Sequence, residues 1–284
     1  MTASSSILAS GNVAVLTGAG SGFGRELALL CAARGMKLVL ADIQPDALEA
    51  TIALLPADTA VLAMPCDVSQ ATAVMAMAEQ TYANFGACHL LFNNAGVGGG
   101  GFSWQTTEDD WTWMLGVNLM GVVHGIRAFV PRMLESGQPA HVVNTASAAG
   151  LVSVPGSSVY CVSKHGVVTL SECLHHELRG ENAAINVSVL CPAFVPTGIV
   201  ESARNRPASL GKVNPSQADF AARTRKAIAS GRLTAADIAQ AVADAVAANR
   251  FYILPHERIK QGVQMRLQDI LEDRQPTNTV PKKP

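Results

Sequence analysis

"TGAGSGFG", residues 17 to 24, follows the apolar run "NVAVLT" (12–17) and runs into an apolar helical stretch at 23–34. A strand that passes into a helix through glycines lets its backbone come close to a bulky group. It also presents the unpaired N–H groups and partial positive charge of a helix N-terminus, an arrangement suited to a pyrophosphate. Glycine turns also form for packing alone, so the surrounding sequence has to decide. Asp42 ends the next apolar run, "KLVLAD" (37–42), 18 residues beyond Gly24. A carboxylate there can accept hydrogen bonds from adenosine ribose hydroxyls and would repel a 2′-phosphate. No Arg or Lys stands in the turn before Gly24 or directly after Asp42. The expected cofactor is therefore NAD, with NADP less favoured, although Arg25 just inside the helix could swing toward such a phosphate.

Further apolar runs recur at "AVLAMP" (60–65), "HLLFNN" (89–94), "HVVNTA" (141–146), "INVSVL" (185–190) and "RFYIL" (250–254). Runs that do not alternate with polar residues suit strands buried on both faces. Between them lie Ala- and Leu-rich stretches at 69–84, 107–134 and 160–180 that are long enough for helices. Strands and helices taking turns predict an α/β fold, a seven-stranded parallel sheet flanked by helices. With no internal repeat and no linker, residues 1–275 read as one domain. Within it, 196–232 is irregular and polar and reads as a cover over a substrate. Residues 234–249 resume a helix with Thr234 and Asp237 as a capping pair, and 276–284 read as a loose tail.

The net charge is −1, which gives no reason to expect a nucleic-acid partner. Six scattered cysteines show no C-x-x-C pair and no metal-ligand spacing, so free thiols and no metal are expected. "MTASSSILASG" lacks the basic and apolar regions of a secretory signal, and no apolar run approaches membrane-spanning length. A cytoplasmic protein without a membrane partner is the expectation.

T-G-x-x-x-G-x-G, with three residues between the first two glycines, resembles the short-chain dehydrogenase/reductase family. Further marks of that family follow in order: "CDV" with Asp67, "NNAG" at 93–96, Asn118 in "GVNLMG", "NTAS" ending at Ser147, Tyr160 with Lys164, and Pro192 with Thr197. The resemblance implies a doubly wound Rossmann-type domain. It implies a cofactor held by Gly18, Ser21, Gly22, Phe23, Gly24, Asp42, Asp67, Val68, Asn94, Ala95, Gly96, Tyr160, Lys164, Pro192, Val195 and Thr197. In that family pattern Asn118, Ser147, Tyr160 and Lys164 are catalytic. Ser147 bonds the substrate oxygen, Asn118 kinks its helix and holds a water, and Lys164 bridges the nicotinamide ribose hydroxyls.

Tyr160 and Lys164 stand one helical turn apart and can share a face. A cation near the hydroxyl favours the phenolate and lowers the phenol from about 10 toward working pH, which makes it a usable acid or base. The expected activity is NAD-dependent interconversion of a secondary alcohol and a ketone. The alternatives are a non-catalytic NAD sensor, which would have no need of a tuned phenol, and an epimerase or dehydratase of the related extended group, disfavoured by chain length and glycine spacing.

Gly98, Ser147, Val154, Ser157, Tyr160 and Phe194 are expected at the substrate, a mostly apolar set that suits a hydrophobic molecule. "GVGGGGF" (96–102) reads either as a wider entrance or as a flexible surface loop. The cover carries Arg204, Arg206, Lys212, Arg223, Arg225, Lys226 and Arg232 against Glu201 and Asp219. This reads as a solvated charged loop, with recognition of an anionic substrate group as the alternative. His165, His175 and His176 read as packing or surface residues, and Cys161 as a small buried one. Ala193 replaces the glycine usual after the proline, which leaves the path of that loop and the role of Thr197 open. The C-terminal strand and helix depart from the family's usual ending. A homodimer through the long helices is therefore expected, with a homotetramer as the alternative.

Overall fold

The computed structural model describes residues 7–211 and 218–279. β1 (Val13–Thr17) is buried along its whole length and lies between β2 (Lys37–Asp42) and β4 (Leu90–Asn93), both parallel to it, so that Val15 pairs with Val39 on one side and Leu91 on the other. β3 (Val61–Pro65) lies outside β2. On the other side β5 (Ala140–Thr145), β6 (Ile185–Leu190) and the short β7 (Tyr252–Ile253) complete a seven-stranded parallel sheet in the order β3-β2-β1-β4-β5-β6-β7. The strand order reverses between β1 and β4, and a crevice opens at their C-terminal ends.

Successive residues of one strand enter opposite cores, which is why the strands carry no polar alternation. Leu38 and Leu40 of β2 pack with α1 (Gly22–Ala33) and α8 (Ala235–Ala247), through Leu27 and Val242. Val39 and Ala41 face the other layer. There α3 (Ala71–Phe85), α5 (Gly121–Ser136) and α6 (Ser158–Gly180) contribute Met77, Phe129 and Leu174. Thr234 and Asp237 form the expected capping box at the start of α8.

Several elements differ from the sequence expectation. Pro45 opens α2 (Pro45–Ile52), a short helix that apolar patterning did not reveal. The stretch 107–134 is not one regular helix. It comprises α4 (Glu108–Leu115), a π-helical turn at Gly116–Met120, and α5. Contrary to the reading of apolar runs, Glu108–Ser136 is long and apolar enough to cross a membrane by length and composition. More than half of its most apolar window is buried, however, and it packs on α3 and α6. The cover is more ordered than its polarity suggested, with 3₁₀ segments at Gly198–Asn205 and Ala208–Leu210 and the helix α7 (Ala218–Ala229). Lys212 lies outside the described residues, as do the side chains of Asp219 and Arg223. After β7 comes α9 (Arg258–Leu271). The described part of the tail is anchored to it, because the Thr277 N–H donates to the buried Asp269 carboxylate at 2.8 Å.

Candidate active site

The glycine turn sits where β1 meets α1, at the strand-order reversal. Gly18 and Gly22 have φ of +66° and +53°, the left-handed region that side chains disfavour. A Cβ on Gly24 would overlap the Gly18 carbonyl oxygen, so α1 approaches the strand as closely as backbone allows. Ser21 precedes α1 in an extended conformation and makes no side-chain cap. The first-turn N–H groups, which have no partner within a helix, are thus left for a ligand. This bare backbone, with Phe23 packed beneath it, fits a pyrophosphate.

Asp42 at the end of β2 stands beside the turn, one carboxylate oxygen accepting from Gly20 N–H and the other from Gln44 N–H, both at 2.9 Å. Arg25 folds back onto the turn. Its guanidinium donates to the Gly20 carbonyl at 2.6 Å and to Thr51 Oγ1 at 3.1 Å. On the far side of β1, the Asn94 amide donates to the Thr17 carbonyl at 3.0 Å and accepts from Thr145 Oγ1 at 3.2 Å. Thr17 Oγ1 accepts from the N–H groups of Asn94 and Ala95 at 2.9 and 3.1 Å. The "NNAG" segment therefore tethers the glycine turn to β4 and β5, a role that motif order alone could not disclose. Asp67 Oδ1 closes a local turn by accepting from Ser69 N–H at 2.9 Å, and the Val68 carbonyl bonds His124 Nδ1 at 2.9 Å.

The loop after β6 closes over the turn despite Ala193, whose N–H donates to His256 Nδ1 at 3.2 Å. The Pro192 carbonyl accepts from Ala148 N–H at 2.8 Å. Thr197 comes within 3.3 Å of where a Cβ on Gly22 would lie. Val195 departs from its expected role, since its side chain is buried in the core beside α8 and only its backbone can face a cofactor.

Tyr160 and Lys164 project from the first two turns of α6. The Lys164 ammonium is buried, lies 5.8 Å from the Tyr160 ring centroid, and donates to the Thr145 carbonyl at 2.9 Å. Burial pulls it down to about 8, opposed by the neighbouring Cys191 thiol. For Tyr160 burial is the largest influence and pushes the phenol up to about 12, against a hydrogen bond with Ser147 that favours the phenolate. This corrects the sequence expectation. Desolvation exceeds stabilisation of the phenolate, and the lysine's hydrogen bond goes to a backbone carbonyl.

Asn118 occupies the π-helical turn and is fully buried, in keeping with the frequent placement of such turns at functional sites. Its Oδ1 accepts from Val97 N–H at 2.8 Å, and its Nδ2 donates to the Val97 carbonyl at 3.0 Å and to Ser163 Oγ at 3.1 Å. Ser163 Oγ in turn donates to the Tyr160 carbonyl at 2.8 Å. The side chain is thus a clamp between β4's exit and α6. Gly96 sits in this corner, where a Cβ would lie 3.3 Å from Asn118 Oδ1 and 3.5 Å from Lys164 Nζ.

Beside α6, Val97, Trp113, Met114 and Val159 form an apolar cluster against which Tyr160 packs. Phe194, in the loop after β6, is half exposed. Val154 N–H donates to Cys161 Sγ at 3.4 Å, which gives that buried cysteine a packing role. His165 bonds the Cys161 carbonyl, and His175 packs edge-on against His176 and Phe251. The cover is pinned here by contacts the sequence did not suggest. Gly98 N–H donates to Ser202 Oγ at 2.9 Å. Against the expectation of a solvated basic loop, the Arg206 side chain is buried, pairs with Asp110 at 2.9 Å and lies over the Trp113 ring. The other described basic residues conform better to that reading, with Arg204 exposed on carbonyls of its own turn and Arg225 paired with Glu201 in solvent. The pairing of Thr107 with Asp110 as a capping box was a readable signal in "TTEDD" (106–110), but nothing local pointed to Arg206 as the partner.

A glycine cradle at the switch point of a parallel sheet, with a Ser-Tyr-Lys constellation across the crevice, defines a dinucleotide-type oxidoreductase scaffold. The short-chain dehydrogenase family model matches residues 12–208. The chain is 33% identical over 270 residues, 93% of its length and 94% of the relative's, to a CLA biosynthesis dehydrogenase/reductase of Lactiplantibacillus plantarum. It is 32% identical to a C alpha-dehydrogenase of Sphingobium sp., over 95% of this chain and 88% of that protein. A short-chain dehydrogenase/reductase from Burkholderia phymatum, solved in complex with NAD, superposes with a TM-score of 0.93 at 47% identity, covering 96% of this chain and 98% of that one. The protein belongs to the short-chain dehydrogenase/reductase family.

Proposed function

We propose that the protein is a nicotinamide-dependent oxidoreductase that interconverts a hydrophobic secondary alcohol and its ketone, with NAD preferred. The observation that carries this reading is the meeting of Tyr160 with the buried Lys164 ammonium, 5.8 Å from its ring, and with Ser147, across from the bare glycine turn. The Burkholderia relative holds NAD, and the donors in the turn suit such a ligand. Asp42, with the Arg25 guanidinium already engaged by the Gly20 carbonyl and Thr51, favours an unphosphorylated ribose. The bound nicotinamide supplies a hydride acceptor in oxidation and a hydride donor in reduction.

In oxidation the alcohol's O–H proton passes to the Tyr160 phenolate oxygen while its C–H hydrogen leaves with both electrons, which gives the ketone. In reduction the phenol returns that proton to the oxygen as hydride arrives at carbon. Ser147 donates a hydrogen bond to the oxygen on which charge develops. The Asn118 clamp holds Val97 and, through Ser163, the Tyr160 backbone. The apolar cluster under Tyr160 excludes water from the same space.

The test is a panel of aliphatic, aromatic and acidic secondary alcohols assayed by nicotinamide absorbance with NAD and with NADP. Turnover of apolar members with NAD is expected. Tight NAD binding without turnover of any member would replace this reading with that of a dinucleotide sensor.

A further inference from the structure

We infer that Phe220 sets the size limit of the substrate site, acting as a single aromatic gate in a slot made by two glycines; this assignment rests on the oxidoreductase reading above. The loops that border Tyr160 are joined to each other. Gly101 N–H donates to the Gly156 carbonyl at 2.7 Å, and Gly101 forms a parallel bridge with Ser157, the residue that precedes α6. Where the loops meet, neither Gly100 nor Gly156 has a side chain, and the Phe220 ring of α7 fills the space. A Cβ on either glycine would overlap that ring, and one on Gly100 would also come within 2.8 Å of the Gly156 carbonyl. Gly156 also has φ of +78°, so its backbone as well as the missing side chain suits glycine.

The position of the slot makes the ring a selector. Gly156 lies four residues before Tyr160, and Gly98 two residues before Gly100, so the ring packs between the loop that leads into the Tyr160 helix and the loop that leaves β4. The cover is already held at Gly98 by Ser202 and at Asp110 by Arg206. Phe220 is a further attachment, made by shape and without a hydrogen bond. A bulky substituent extending from the reacting carbon past the apolar cluster of Val97, Trp113, Met114 and Val159 meets this ring, whereas a small one does not. The run of glycines at 98–101 therefore does not behave as a slack surface loop. It is the receptacle that brings the cover's aromatic down.

The test compares the unmodified protein with Phe220→Ala, Gly156→Ala and the double variant, using isopropanol and benzhydrol as small and bulky secondary alcohols with NAD. Phe220→Ala should raise the benzhydrol-to-isopropanol ratio of kcat/KM by about tenfold or more, through gain on the bulky alcohol. Gly156→Ala, which evicts the ring, should move the ratio the same way. Added to Phe220→Ala it should move the ratio no further, because the two act through one contact. A second readout needs no turnover. Trypsin cleavage at Arg225 and Lys226 on α7 should accelerate in Phe220→Ala.

An unchanged ratio with unchanged cleavage overturns the gate. So does an equal loss on both alcohols that tracks a lowered Tm, which would make the ring simple packing. If the unmodified protein oxidises no secondary alcohol, the proposed function falls. The slot is then judged on cleavage alone, faster digestion of Phe220→Ala upholding it and unchanged digestion overturning it.

Discussion

Tyr160 is held as a phenol by its surroundings, since burial pushes it up to about 12 while Ser147 pulls it down. At neutral pH the residue therefore rests as a phenol, and under the proposed chemistry it is poised as the acid of reduction while oxidation needs the minority phenolate. Oxidation kcat/KM should rise with pH through the neutral and alkaline range and reduction should fall, with chemistry rate-limiting. Removing the Ser147 hydroxyl takes away the bond that favours phenolate, so Ser147→Ala should displace the oxidation profile to higher pH as well as lower its height. Tyr160→Phe should cost on the order of 10²-fold or more in turnover while NAD binding, followed by fluorescence titration, survives. Lys164 makes an opposite kind of prediction. Its folded value of about 8 lies below the ordinary 10.5, so the unfolded chain keeps a proton that the fold releases between those values. Its charge thus costs stability below about pH 8, and the cost disappears as pH rises past 10.5. Lys164→Met should raise Tm at pH 7, lose that advantage near pH 10.5, and be catalytically impaired throughout.

At the scale of elements, the turn from β1 to α1 depends on Gly24, because a methyl there would collide with the Gly18 carbonyl. No rotamer relieves a clash between a Cβ and backbone. Gly24→Ala should therefore weaken NAD binding and lower Tm together, whereas Asp42→Ala should mainly narrow the preference for NAD over NADP in a two-coenzyme assay. β5 and β6 carry a buried polar pair, His141 Nε2 against Ser188 Oγ at 2.7 Å. Burial holds His141 down to about 4. Stability from its neutral ring is complete above the ordinary value of 6.5 and is lost as pH falls from there toward 4. Urea midpoints at pH 7 and pH 5 should diverge in the unmodified protein and converge in His141→Gln. The strands that carry these residues were readable because a doubly covered strand must be apolar on both sides. α2 was not, since eight residues, little more than two turns, give little helical periodicity. The π-helical turn at Asn118 was equally hidden, being a matter of hydrogen-bond phase within a helix.

Across the whole molecule, the cover is fastened to the sheet scaffold by Ser202, Arg206 and Phe220, which meet partners about 60 to 120 residues earlier in the chain. The Arg206–Asp110 pair is almost wholly removed from water, where loss of one partner costs about 3–5 kcal/mol if the other stays buried. The cover can release instead of keeping Asp110 buried. Arg206→Met should therefore appear as faster proteolysis between residues 198 and 229 and a raised KM, more than as global unfolding.

The order of glycines, strand-end Asp42, Asn118, Ser147, Tyr160 and Lys164 along the chain determined the sheet, the cradle and the family, because each rests on local geometry: the conformational freedom of glycine, a helical turn, a strand's two buried faces. What only the tertiary structure decided is the balance of forces at those residues and the closure above them. How far a phenol is desolvated, whether an arginine is solvated or buried, and which ring fills a glycine slot depend on segments distant in sequence. No local pattern records that proximity.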